Sequence, residues 1–336
     1  MPSPSSTTLP ATMKALQLAA YDGRLAVAEI ARPTPQPGGV LVEMAVASVN
    51  PSDLMFIKGQ YGVRKPLPTV PGFEGSGVVV QSGGGAEADA LVGQRVSVAS
   101  TADGTWAQYV AAPASMCFPL LATTTMEAGA MLVVNPLTAH ALVELARDLG
   151  AAALVQTAAA SALGRMVLAR CNRLGLPVIN VVRREPQVAL LTSLGATEVL
   201  STAEPDFDRR FAERARALKA TVALEAVSGA LTGRILRGMP RRSTVVLYGA
   251  LSEEPCQLNP GDLIFAGKTL RGFWLSDLFT PQGLQQLQAG ARTVQEHLTT
   301  DYASPVRGTY RLEDAVGALA EYQADMTAGK ILLTPK

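Results

Sequence analysis

The 336-residue sequence predicts an α/β protein in two parts: a β-rich first third, then a doubly wound parallel sheet, with a short return to the first part at the end. Three observations predict this. Between residues 13 and 111, apolar runs of strand length are separated by Pro/Gly turns. From about residue 132 strands alternate with helical patterns, as in a parallel sheet covered on both faces. Residues 152–184 read as one complete βαβ unit.

The expected strands of the first part are 13–18, 25–30, 39–49, 74–81, 95–99 and 106–111, with 82–90 (SGGGAEADA) as a hairpin tip. A helix at 137–149 leads into the βαβ unit. The unit comprises a buried strand (152–156), a loop of very small residues (157–162), a helix from about 163 to 174 and a second strand (178–182). A helix near 186–194 follows, then strands at 198–200, 222–225, 244–248 and 269–274, and a helix near 281–297. A helix at 311–329 and a strand at 331–334 complete the pattern, and no internal repeat is present. The expected division is a loose tail at 1–12, a first domain at 13–133 plus 302–336, and a second at 134–301.

Composition narrows the function. Hydrophobic residues make up 48% and charged residues 17%, which describes a soluble protein with a large core. A formal charge of +1 gives no electrostatic reason to expect nucleic acid or an anionic membrane as partner. No apolar run reaches the roughly 18 residues of a membrane span. The opening MPSPSSTTLPAT has neither basic residues nor an apolar block, so it reads as neither signal nor transit peptide. Three scattered cysteines fit a reducing, cytoplasmic setting. With two histidines, also isolated, they make no zinc ligand set, so no metal is expected.

The βαβ unit carries the chemistry. Small side chains between strand and helix let a pyrophosphate reach backbone N–H groups at the positive end of the helix dipole. Of the G-x-G-x-x-G glycines only Gly164 is present, but Ala158, Ala159, Ala160, Ser161 and Ala162 meet the same steric requirement. Nineteen residues after Gly164, where an NAD site places a carboxylate on the ribose 2′-OH, stands Arg183. An arginine suits a 2′-phosphate. The residues therefore predict an NADPH site, against the plainer alternative of an ordinary βαβ unit with surface arginines.

The order of the parts, with VNPSDLMFIKGQYG, PGFEGSGVV, VNPLTAHALV, LYGAL and LRGFWLSDL, resembles the medium-chain dehydrogenase/reductase superfamily over nearly the whole chain from Met13. The resemblance implies a GroES-like catalytic domain and a Rossmann dinucleotide-binding domain. Zinc-dependent relatives carry a cysteine near the position of Asn50 and a histidine at that of Phe73, so this chain resembles a zinc-free branch. Two zinc-free groups compete: mitochondrial-type 2-enoyl thioester reductases, to which the combined motifs look closer, and NADPH:quinone reductases.

By motif, the resemblance implies that Tyr61 is the proton donor. It places Asn135 on the cofactor, Ala160, Ser161, Ala162 and Leu163 on the pyrophosphate, and Arg183, Arg184 and Glu185 on the 2′-phosphate segment. Tyr248, Gly249, Ala250 and Leu251 fall on a nicotinamide-side turn. Phe273, Trp274 and Leu275 fall on the nicotinamide and acyl pocket, and Lys330 on a second cofactor contact. The alanines of the pyrophosphate loop depart from the Asn and Gly of relatives, which leaves hydrogen bonding there to backbone and Ser161. The expected reaction adds hydride to the β-carbon of an enoyl thioester and a proton from Tyr61 to the α-carbon. A quinone or enone reductase, or an NADPH-binding protein without catalysis, are the alternatives. Residues 270–275 are an expected edge strand, which together with the resemblance points to a homodimer.

Overall fold

The computed structural model describes residues 9–100, 103–326 and 328–335. Contacts divide the chain into two units: Met1–Val134 with Ser304–Lys336, and Asn135–Ala303. Most of the expected tail lies outside the described residues, and Thr12 already opens the first strand.

The first unit begins with a hairpin of β1 (Thr12–Leu18) and β2 (Leu25–Ala31). β3 (Gly39–Ser48) is the spine: most of its residues are buried, as a run that is apolar except for Glu43 and Ser48 requires. Next come a short helix α1 (Pro51–Ile57), β4 (Glu74–Ser82), α2 (Ala86–Leu91), β5 (Arg95–Ala99), β6 (Tyr109–Pro113), β7 (Cys117–Pro119) and α3 (Met126–Ala130). The expected hairpin tip at 82–90 is thus largely helix. Ala88 and Leu91, three apart on one face, bury against Val79, Val96 and Val98, and that burial overrides the loop-like Gly run before them.

The strand expected at 106–111 starts later, at Tyr109. Trp106 is instead a fully buried core residue that donates its indole N–H to the Ser48 carbonyl at 3.1 Å.

The second unit opens with α4 (Thr138–Asp148) and then alternates: β8 (Leu154–Gln156), α5 (Ala162–Leu174), β9 (Val178–Val182), α6 (Glu185–Ser193), β10 (Glu198–Ser201), α7 (Phe207–Ala217), β11 (Val222–Glu225), α8 (Gly229–Gly238), β12 (Thr244–Leu247), α9 (Pro260–Ile264), β13 (Thr269–Gly272) and α10 (Pro281–Glu296). The strands form one parallel sheet in the order β10-β9-β8-β11-β12-β13. The order reverses between β8 and β11, the switch point of a doubly wound sheet. α7 and α8 are additions to the expected pattern. α7 buries only Phe207, Phe211 and Ala215, a narrow stripe within a strongly charged helix.

The return to the first unit is β14 (Val306–Arg311), α11 (Ala315–Ala324) and β15 (Lys330–Thr334). The expected helix at 311–329 is shorter, and β14 precedes it. Its Val, Thr and Tyr favour a strand, and it pairs in parallel with β15. β15 pairs in turn with β3, giving a seven-stranded sheet in the order β14-β15-β3-β4-β5-β7, with β6 on β3. Among the described residues no helix is long and apolar enough to cross a membrane.

Candidate active site

In the first unit the run Asn50-Pro51-Ser52-Asp53 opens α1, with Pro51 at a position where its missing N–H costs nothing. Asp53 is fully buried. Its two carboxylate oxygens accept the N–H of Asn50 at 2.7 Å and of Phe73 at 3.0 Å. Burial pushes its pKa up to about 7, with the nearby Glu74 charge adding to the effect and Lys330 opposing it.

Glu74, at the start of β4, is also fully buried. One oxygen accepts from the Ser48 hydroxyl (2.6 Å) and the Asn50 amide (2.9 Å). The other accepts the N–H groups of Val133 (2.9 Å) and Val134 (2.8 Å). The Lys330 ammonium donates to the side-chain oxygen of Asn50 and to the Val49 carbonyl. Asn50 therefore joins an ammonium on one side to a carboxylate on the other. The structure places Lys330, expected on the cofactor, at only 4% exposure, with its ammonium bonded to Val49 and Asn50 of the first unit. Burial lowers its pKa, while Glu74 and Asp53 hold it up. Among the described residues no group of three or more His, Cys, Asp or Glu is arranged to hold a metal ion.

Tyr61 follows the turn that ends α1, where Gly59 takes a φ of +68°. Its half-buried ring lies 5.0 Å from that of Phe73, tilted by 41°. Asp53 thus holds the backbone of the residue on which Tyr61 packs.

In the second unit the expected cofactor residues gather at the C-terminal ends of parallel strands. After β8, Ala158 adopts a left-handed φ of +47° and Ser161 caps α5 by accepting the Gly164 N–H at 3.1 Å. A Cβ on Gly164 would stand 2.5 Å from the Ala159 carbonyl oxygen, so glycine alone fits there. The loop is anchored from below: the Thr157 hydroxyl donates to Glu225 (3.0 Å) and accepts the Ala226 N–H (2.9 Å).

Past β9, Arg183 and Arg184 are exposed, and both backbone N–H groups are accepted by the side-chain oxygen of Gln187 (3.1 and 3.0 Å). Glu185 opens α6. The turn Tyr248–Leu251 hangs on β11, with the Tyr248 N–H on the Glu225 carbonyl (2.9 Å) and the Leu251 N–H on that of Ala226 (3.0 Å). Burial, reinforced by the Glu225 charge, raises the Tyr248 phenol well above its usual pKa. Phe273 donates its N–H to Leu247, and Phe273, Trp274 and Leu275 are half-buried beyond β13. Asn135 is half-buried in the π-helical turn Val133–Leu137.

This second unit fits an NADP-type dinucleotide on its own geometry. It offers small residues and a glycine-tight turn, a capped helix N-terminus whose first N–H groups lack intrahelical acceptors, and two outward arginines past the neighbouring strand.

Comparison with known families agrees. The Alcohol dehydrogenase GroES-like domain matches residues 36–122 and the Zinc-binding dehydrogenase family residues 162–289. The chain belongs to the medium-chain dehydrogenase/reductase superfamily. Within it, the chain is 34% identical over 247 residues to the mitochondrial enoyl-[acyl-carrier-protein] reductase of Caenorhabditis elegans, covering 72% of this chain and 70% of that protein. A candidate NADPH:quinone reductase from Mesorhizobium loti superposes with a TM-score of 0.88 at 35% identity, over 98% of this chain and 100% of that one. A mycobacterial protein complexed with NADPH superposes at 0.80 with 27% identity, over 96% and 100%.

Two features of this superfamily member were not expected from its sequence. Gln187, which shapes the arginine segment, had a signal in its position three residues after Arg184, where a side chain reaches back to the cap of a helix. Lys65 had none.

Proposed function

We propose that the chain reduces the carbon–carbon double bond of an α,β-unsaturated thioester with NADPH. The observation that carries this is Tyr61 on the Asp53–Phe73 frame of one unit, together with the outward Arg183 and Arg184 of the other. NADPH, when bound, supplies the hydride. Ala160, Ser161, Ala162 and Leu163 would hold its pyrophosphate, and Arg183 and Arg184 its 2′-phosphate, with Glu185 and Gln187 setting that turn. Asn135, Tyr248–Leu251 and Phe273–Leu275 would line the nicotinamide side. Lys330 acts through Asn50, whose amide it orients.

The substrate's β-carbon accepts hydride and Tyr61 delivers a proton to the α-carbon. A phenol, with a reference pKa of about 10, is protonated at neutral pH and able to donate. The likeness to enoyl-[acyl-carrier-protein] reductases at 34% identity supports this reading. The 35% identity to a candidate NADPH:quinone reductase supports a second one, a quinone on the same scaffold. Steady-state rates with crotonyl-CoA and with 1,4-benzoquinone, each with NADPH and NADH, separate them. Activity on benzoquinone alone would reject the thioester reading.

The chain also forms a homodimer in this reading, through the edge of its parallel sheet. Among the described residues β13 pairs only with β12, and just before it Ile264 and Phe265 are 70% and 75% exposed.

A further inference from the structure

Lys65 carries a buried charge that the fold leaves without a hydrogen-bond partner among the described residues. The residue is only 9% exposed. The backbone beneath it is clamped: the Tyr21 hydroxyl accepts the Lys65 N–H at 2.6 Å and donates to its carbonyl at 2.9 Å. The ammonium stands 5.3 Å from the ring centre of Phe56 and 5.9 Å from that of Phe73. Phe73 is the ring on which Tyr61 packs. Two carboxylates act on Lys65 from a distance, Asp103 and Asp53. Asp53 is already engaged by two backbone N–H groups. Arg64 turns the other way, over the Tyr21 ring.

A dry ammonium facing two phenyl rings is costly to maintain, and ring faces replace only part of its lost hydration. Surface lysines avoid this by extending into water. Here the ammonium is buried instead, with Asp103 and Asp53 acting on it only from a distance and no anion hydrogen-bonded to it among the described residues.

We infer that Lys65 contacts the substrate, its ammonium receiving the carbonyl oxygen of the α,β-unsaturated acyl group. The inference rests on the proposed reading of Tyr61. When the β-carbon accepts the hydride of NADPH, the π pair of the double bond shifts toward the carbonyl and leaves an enolate oxygen. Lys65 donates a hydrogen bond to that oxygen and keeps its protons. Tyr61 then protonates the α-carbon, the carbonyl re-forms, and the tyrosinate recovers a proton from water. A preorganised donor in a dry site is where such charge is stabilised most.

Burial lowers the Lys65 pKa to about 8, against the opposing charges of Asp103 and Asp53. The group is therefore charged at neutral pH and discharged just above it. The test is Lys65→Met, which keeps the length and removes the charge. At pH 7, kcat/KM for crotonyl-CoA should fall about 10²- to 10³-fold. Binding of saturated butyryl-CoA, measured by calorimetry without NADPH, should weaken only a few-fold. The alkaline limb near pH 8 in wild-type kcat/KM should vanish in the variant.

Thermal stability should move the opposite way to activity. A lysine whose folded pKa lies below its ordinary 10.5 destabilises the fold fully below pH 8, and this penalty fades as pH rises toward 10.5. Lys65→Met should therefore have a higher Tm than wild type at pH 7, with the difference shrinking above pH 8. A folded variant with unchanged kcat/KM, or one that retains the limb, overturns the inference. If wild type reduces benzoquinone but not crotonyl-CoA, the thioester reading fails alone, and a loss of quinone turnover in Lys65→Met still supports the carbonyl contact. If it reduces neither, the proposed function fails, and unchanged butyryl-CoA binding in the variant overturns the inference as well.

Discussion

The carboxylate of Asp53 accepts the backbone N–H of Phe73 across twenty residues of sequence, at 3.0 Å. Its second oxygen holds Asn50 at 2.7 Å, so one buried side chain spans the helix start and the strand entrance that frame Tyr61. Asp53→Ala leaves both N–H groups without an acceptor, at about 1–3 kcal/mol each. Urea unfolding should show a loss of that order. Asp53→Asn, which can still accept one of the two bonds, should lose less.

Arg183→Ala should shift cofactor preference. Losing a charge-assisted pair to phosphate costs about 1.5–3 kcal/mol, so the NADPH/NADH ratio of kcat/KM should fall about tenfold to a hundredfold. An unchanged ratio would mean that the 2′-phosphate lies elsewhere.

Tyr61→Phe removes one hydroxyl and keeps the ring that packs on Phe73. NADPH affinity should hold. Turnover of crotonyl-CoA should drop by roughly 10²–10⁴, the usual contribution of a positioned acid. Reduction of benzoquinone, whose product oxygens gain protons readily from water, should drop far less. Equal small effects would reduce Tyr61 to packing.

Gly164→Ala puts a methyl group 2.5 Å from the Ala159 carbonyl oxygen, which is backbone and can yield only if the loop opens. The strain should cost about 1–3 kcal/mol of stability. Fluorescence titration should show NADPH binding at least about tenfold weaker. Undiminished affinity would remove the loop from the cofactor site.

Light scattering at micromolar concentration should give twice the chain mass, and Phe265→Asp should reduce it to one. A monomeric wild type would reject the edge-to-edge arrangement.

The parallel sheet and its ligand loop were legible because their signals are local. The strands 152–156 and 178–182 are apolar runs broken only by Gln156 and Asn180, which hydrogen-bond to each other, and the small residues between strand and helix stand in sequence order. α2 was hidden by the glycines before it, and its evidence lies in contacts with Val79 and Val96, which periodicity cannot see. β14 was missed because its partner, β15, supplies the pairing that makes it a strand. Tyr61 was reachable through its motif, whereas Lys65 reads as one more charged loop residue. Only the rings of Phe56 and Phe73, brought in from α1 and the entrance to β4, reveal that it is buried. The order of Asn50, Glu74 and Lys330 in the chain concealed their network for the same reason.

Lys330 is also the last of that network to be made. Asn50 and Glu74 leave the ribosome first, then the whole of Asn135–Ala303 is synthesised, and only afterwards does β15 bring the ammonium to Asn50. The second unit is continuous in sequence and can close while translation is still under way. The first must keep a place open on β3 for its final strand until the chain is nearly finished. In a ribosome-bound chain that ends at Ala303 and is followed by a flexible linker long enough to clear the exit tunnel, proteases should find the later-encoded unit protected and the earlier-encoded one still open to cleavage.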